Sequence, residues 1–277
     1  MKPGIAPQLT GVPETLLWTL HNRAAEARRA DGVLSDPASI RIHDAIDYDY
    51  DRSFGKADGT HAARARLFDR LVGDWLQCHP RGLVVSLGEG LETQVLRIDN
   101  GEMRWLSVDL PEVIDLRERF IPASERRRHF ASSALDRRWM AEVEATEGLC
   151  IVAQGLFMYL PVEEIRGLLR DIASRFPGSE IIFDTIPRWF SRLTLRGLQR
   201  TRHYRMPAMP WGIDQQEIAP TLRQWGVVGD DDTVQVATYR IPRGSGWLVD
   251  TALYYLPALR GKRQAVVRAR LTEPIAR

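Results

Sequence analysis

A short apolar run, Val84-Val85-Ser86-Leu87, leads into Gly88-Glu89-Gly90-Leu91-Glu92-Thr93-Gln94, and a second, Trp105-Leu106-Ser107-Val108, leads into Asp109-Leu110-Pro111. No other feature constrains the chain as much. The pattern predicts a strand, a glycine turn opening a helix, a second strand, and an acid at that strand's tip, 19 residues past the second glycine. Gly88 and Gly90 allow the backbone to approach a ligand where a Cβ would collide, and Asp109 can accept both hydroxyls of a ribose. This is a nucleoside-binding arrangement. The third position of the turn separates two ligands: a dinucleotide fold uses Gly or Ala there to pack the helix and seat a pyrophosphate, whereas Thr93 stands here. That choice favours S-adenosylmethionine (SAM) over NAD.

Downstream, apolar strands alternate with helical patterns: strand 83–87, helix 91–98, strand 104–108, helix 111–120, strand 129–131, helix 136–145, strand 149–153, helix 161–175 and strand 180–183. Such alternation predicts a parallel sheet with helices on both faces. Ligands of such sheets sit at the carboxyl ends of the strands, where Gly88, Asp109, Ser133, Gln154 and Asp184 fall. Residues 186–215 break the alternation and are expected to form an insertion, a lid, over that edge. Upstream, residues 1–12 suggest an extended arm. Leu16, Leu17, Leu20, Ala24 and Ala27 have helical spacing, and a loop with Gly32 and Pro37 leads to the acidic, aromatic segment Ile40–Tyr50. The expected division is an arm and helical cap over 1–60 and a core over 61–277.

With 277 residues, 38 of them Lys or Arg and 36 Asp or Glu, the formal charge is +2, which gives no support to a nucleic-acid partner held by bulk electrostatics. Cys78 and Cys150 fall in a helical and a buried strand segment, so no structural disulfide is expected and a reduced cytoplasmic setting fits. Neither a leader-like apolar run nor a membrane-length one is seen, so no membrane partner is expected. His21, His43, His61, His79 and His129 are scattered without metal-ligand spacing, and no metal is expected. Oligomeric state is not encoded in any pattern here.

Taken together, Val85–Arg97, Val108–Val113, Ala153–Pro161 and Phe183-Asp184, with the N-terminal Glu14–Ala27, Asp47–Tyr50, Arg64 and Asp69, resemble the bacterial branch of the leucine carboxyl methyltransferase family. The resemblance spans roughly residues 13–187. It implies a class I, Rossmann-like methyltransferase fold with a mostly parallel seven-stranded sheet, and SAM-dependent methylation of oxygen, often a carboxylate. It also implies that Arg64 pairs with the SAM carboxylate, as a planar guanidinium fork suits. Gly88, Gly90, Thr93, Asp109, Leu110, Ser133, Ala134, Leu135 and Gln154 are the other expected cofactor residues. At two of these the chain departs from the family. Ala134 stands where an acid usually meets the adenine amino group, and Gln154 replaces a glutamate near the sulfonium, keeping an oxygen but removing a charge.

For the acceptor, a small anionic or aromatic molecule is expected. Between Pro187 and Pro210 lie Arg188, Arg192, Arg196, Arg200, Arg202 and Arg205 with no acid, and the series 192, 196, 200 predicts one stripe on a helix. Arg188, Arg192, Tyr204 and Trp211 are the substrate candidates, Tyr159 a cleft residue, and His203 the candidate base if the acceptor is a hydroxyl. A carboxylate is already ionised at neutral pH and needs no base, whereas an alcohol does. Hydroxyl or phenol methylation and a non-catalytic binding protein on the same fold are the alternatives. An NAD oxidoreductase is disfavoured by Thr93 and by the lack of an evident proton donor.

Overall fold

Leu16, Leu17, Leu20 and Ala24 are all buried on one side of α1 (Thr15–Ala27), the first of four helices that precede the sheet in the computed structural model, which describes residues 4–273. It is followed by α2 (Pro37–Ala45), α3 (Tyr50–Phe54) and α4 (Thr60–Cys78). The loop expected through Gly32 is present over residues 28–36, but Pro37, placed in it from the sequence, already opens α2. The reason is local: the Asp36 side chain accepts from Ser39 N at 3.0 Å, and Pro37 occupies the first turn, where its missing N–H costs nothing. Residue Ile5 of the arm pairs with Ile46, so that segment is ordered against the cap.

Next come β1 (Leu83–Leu87), α5 (Gln94–Arg97), β2 (Arg104–Asp109), α6 (Pro111–Glu118), β3 (Arg127–Ala131), β4 (Leu149–Ala153), α7 (Val162–Arg175) and β5 (Glu180–Thr185). The remainder is α8 (Arg188–Leu195), the hairpin β6 (Gln199–Thr201) and β7 (Tyr204–Arg205), α9 (Gln215–Gln224), β8 (Val234–Ala237), α10 (Gly244–Tyr255) and β9 (Ala265–Arg270). Helix α5 is shorter than the expected 91–98. The carbonyls of Gly90 and Glu92 are taken by the Arg117 guanidinium and that of Leu91 by Arg23, which pins the turn in a non-helical path. Residues 137–142 form a 3-10 turn in place of the helix expected at 136–145.

The seven strands are ordered β3-β2-β1-β4-β5-β9-β8. β1 to β5 pair in parallel, and β9 runs antiparallel between β5 and β8. Pleating divides the strand residues between two cores. Val85, Leu87 and Ile151 face α7 and α9, while Val84, Trp105 and Val152 face α1, α4 and α6. On α7, Ile165, Leu168, Leu169 and Ile172 are fully buried, each worth about 1.5–3 kcal/mol. Among the described residues no helix is long and apolar enough to cross a membrane.

Candidate active site

A cavity of about 540 Å³ opens at the carboxyl ends of β1, β2, β4 and β5, roofed by α1, the segment after β5, and α10. Gly88 and Gly90 form its floor with φ of 63° and 58°, a region that glycine alone enters freely. A Cβ on Gly88 would lie 2.9 Å from Leu156, and one on Gly90 would lie 3.1 Å from Leu16. At the tip of β2, Asp109 accepts from Gly90 N at 2.7 Å and from Leu110 N at 2.8 Å, one bond per oxygen. Each oxygen keeps a lone pair for an occupant. Burial pushes the Asp109 carboxyl above its ordinary range, although the two N–H groups pull it down. Leu110, Ser133, Ala134 and Leu135 complete this wall.

At the other end, Arg64 donates to Asp184 at 2.9 Å, and Asp184 in turn accepts from Gly155 N at 2.6 Å. Gly155 has φ of 73°, and a Cβ there would lie 3.0 Å from the Arg64 fork, so the guanidinium rests against bare backbone. Gln154 donates to Glu92 at 3.0 Å, while its Oε1 is buried with no partner. Glu92 itself is gripped by Arg23 at 2.8 Å and Arg97 at 2.7 Å. Burial alone would raise its pKa, but these cations hold it at about 2. Tyr159 also lines the cavity, and burial pushes its phenol up to about 12.

Thr93 does not line the cavity: it is fully buried, and its hydroxyl donates to Asp36 at 2.6 Å, tying α5 to the N-cap of α2. Four residues expected at the acceptor also lie elsewhere. The arginine stripe does not exist, because α8 ends at Leu195 and Gly197, with φ of 86°, turns the chain into the β6–β7 hairpin. Arg188 pairs with Glu217 at 2.7 Å, and Arg192 is exposed on α8. Trp211 is buried in the core beside Phe157 and Trp225, each at 6.4 Å. Tyr204 packs edge-on against Phe54 at 4.8 Å, and with His203, exposed at the hairpin tip, it borders a separate open recess.

What sequence reasoning missed comes mainly from the cap and the C-terminal region. Trp18 and Arg23 of α1, His61 of α4, and Tyr239, Val249 and Asp250 all line the cavity. For His61 there was a signal: it lies three residues before Arg64 on one helix, hence on the same face. Arg200 of β6, one of the arginines expected to serve the acceptor, lines the cavity too, though no signal singled it out from its neighbours.

Comparison with known proteins matches residues 17–173, more than half of the chain, to the leucine carboxyl methyltransferase family model. The chain is 32% identical over 233 residues to the tetracenomycin polyketide synthesis O-methyltransferase TcmP of Streptomyces glaucescens, covering 80% of this chain and 85% of that protein. It is 31% identical to the S-adenosyl-L-methionine-dependent methyltransferase dpfgK of Gibberella zeae, covering 64% and 66% respectively. Among solved structures, the N-methyltransferase NodS of Bradyrhizobium japonicum in complex with S-adenosyl-L-homocysteine superposes with a TM-score of 0.50 at 11% identity, covering 95% of this chain and 99% of that one. That likeness concerns the fold.

Proposed function

The chain belongs to the leucine carboxyl methyltransferase family, and we propose that it is a SAM-dependent O-methyltransferase that esterifies the carboxylate of a small molecule. The residues present fit SAM. Asp109 offers a free lone pair on each oxygen, Gly88 and Gly90 leave room where side chains would intrude, and the buried Gln154 Oε1 lacks a partner that a bound ligand would provide. Arg64 stands ready for a carboxylate at the opposite end, its charge steadied by Asp184. When bound, SAM supplies a methyl group on a sulfonium: the acceptor oxygen bonds to it as the carbon–sulfur bond breaks, and the electron pair stays on sulfur.

The choice of a carboxylate rests on one observation. His61, the imidazole lining the cavity, is held well below its ordinary pKa by burial and then by Arg64, Arg23 and Arg200. So weak a base is ill suited to deprotonate an alcohol, and Tyr159 and Tyr239 are pushed up by burial and hold their protons at neutral pH. A carboxylate needs no base, and this cavity then contributes alignment and exclusion of water.

Calorimetry with SAM, followed by incubation with labelled SAM and a panel of aromatic carboxylic acids and phenols, tests the reading. The expected product is an ester that releases labelled methanol in alkali. An alkali-stable ether as the main product overturns the carboxylate assignment, and no measurable SAM binding overturns the enzyme assignment.

A further inference from the structure

Three side chains from separate segments meet in the cavity without serving the nucleoside end. The Arg200 guanidinium lies 5.1 Å over the Trp18 ring, and His61 meets the same ring edge-on at 5.1 Å. Arg200 is steered from behind, its Nε donating to the Phe54 carbonyl at 3.0 Å. Its nearest acid, Asp58, is 3.6 Å away, beyond hydrogen-bond length, so the cation is fixed in place with its charge only loosely matched. His61 Nδ1 is shut away with no partner, which leaves Nε2 as the nitrogen that can meet an occupant. Trp18 Nε1 is buried without a partner as well. Apolar residues of the roof, among them Met158, Phe190 and Met206, continue the same wall.

We propose that Trp18, His61 and Arg200 form the acceptor subsite, which takes a planar aromatic carboxylate with its oxygens between the Arg200 guanidinium and the His61 Nε2–H. The assignment rests on the carboxylate reading above and adds where the acceptor is held and what shape it has. The two polar groups divide the work. Arg200 balances the charge, and its planar fork matches a carboxylate where an amide would leave it unmatched. His61 stays neutral because burial, Arg64 of α4, Arg23 of α1 and Arg200 of β6 oppose its protonation, with Glu92 the acid acting the other way. A neutral imidazole donates a hydrogen bond without giving up its proton, so the carboxylate keeps the charge that makes its oxygen nucleophilic. The indole supplies a flat wall for the acceptor's ring.

The test uses trans-cinnamate and its neutral isostere cinnamamide as probes, titrated calorimetrically into the full chain saturated with S-adenosylhomocysteine. Wild type is expected to bind cinnamate roughly tenfold or more tighter than cinnamamide. Arg200→Gln should erase that ratio with the S-adenosylhomocysteine constant unchanged, which also reports that the variant is folded. His61→Gln, which keeps a donor, should retain most of the cinnamate affinity, and His61→Leu should lose it. Imidazole nitrogen chemical shifts should show His61 neutral at pH 7 with cinnamate bound. Equal binding of the two probes by wild type, no cinnamate binding at millimolar concentration, a preference surviving in Arg200→Gln, or a cationic bound His61 each overturns the subsite. Failure to bind S-adenosylhomocysteine would instead defeat the SAM reading itself, so the two failures are told apart.

Discussion

Gln154 at the tip of β4 donates its side-chain amide to Glu92, in the glycine turn after β1, at 3.0 Å. The negative charge beside Gln154 thus comes from the turn, and the strand tip carries the amide that binds it. Arg23 and Arg97 in this cluster already face Asp36, Asp69 and Glu92. Restoring the acid of the family pattern with Gln154→Glu would set a further carboxylate against Glu92. We expect one of the two to keep its proton when folded, raising its pKa above the unfolded value near 4.3. A raised acid contributes stability at low pH that is lost as pH rises through the folded value. Gln154→Glu should therefore lose about 1–3 kcal/mol relative to wild type between pH 5 and pH 8. Urea unfolding at both pH values checks this, and a variant equally stable at both would show that the acids do not meet.

Glu92 itself predicts the acid limb of wild-type stability. Burial opposes its ionisation, but Arg23 and Arg97 hold the folded carboxyl at about 2, below its ordinary value of 4.5. A depressed acid contributes stability above its unfolded pKa and loses it as pH falls through the folded one. Melting temperatures should fall between pH 4.5 and pH 2, and Glu92→Gln should flatten that limb while lowering stability at pH 7.

Beneath the glycine turn, Arg117 donates to Glu89 at 2.8 Å and to the Gly90 and Glu92 carbonyls, with both side chains fully buried. Removing one partner strands the other charge, so Arg117→Leu should destabilise by about 3–5 kcal/mol in urea unfolding. Because the same guanidinium shapes the turn, SAM affinity should drop as well. The double change with Glu89→Leu should recover part of the stability, and a single variant losing under about 1 kcal/mol would contradict this account.

How much of this was legible beforehand depended on the range of the interaction. Strand positions and the carboxyl-end residues Gly88, Asp109, Ser133, Gln154 and Asp184 follow from short-range periodicity and turn chemistry, and all of them line the cavity. Thr93 was misjudged because its place in the motif does not reveal that Asp36, 57 residues away in sequence, captures its hydroxyl. The arginine stripe failed because i, i+4 spacing is meaningful only while a helix lasts, and Gly197 ends this one. Arg200 and Trp18 are brought together by tertiary packing between β6 and α1, which no local pattern contains.

Asp109 is expected to control cofactor binding through its charge. Its oxygens already accept from Gly90 and Leu110, so Asp109→Ala removes both the ribose acceptor and the brace of the turn. SAM affinity should fall by about 3 kcal/mol or more, over a hundredfold, with Asp109→Asn intermediate. Burial raises the free carboxyl's pKa, so protonation competes with the ligand at pH values above the ordinary 3.8. Affinity measured from pH 7 downward should begin to decline before that value is reached. An Ala variant binding within about threefold of wild type would refute the ribose assignment.

Trp211, read from sequence as an acceptor residue, and His203, read as the candidate base, should separate cleanly on mutation. Trp211 is 8% exposed and packs between Phe157, Phe183 and Trp225, so Trp211→Ala removes a large core side chain. The expected loss is about 3–5 kcal/mol of folding stability, with the Michaelis constant for the acceptor unchanged in whatever fraction remains folded. His203 stands exposed at the hairpin tip, where its Nε2 accepts from the neighbouring Arg202 at 2.8 Å, and it borders the outer recess instead of the cavity. His203→Ala should leave stability, turnover and the pH profile of turnover as in wild type. A shift of the basic limb in that variant would mean that the hairpin closes over the cavity during catalysis and brings the imidazole to the acceptor, restoring hydroxyl methylation as the better reading of the site.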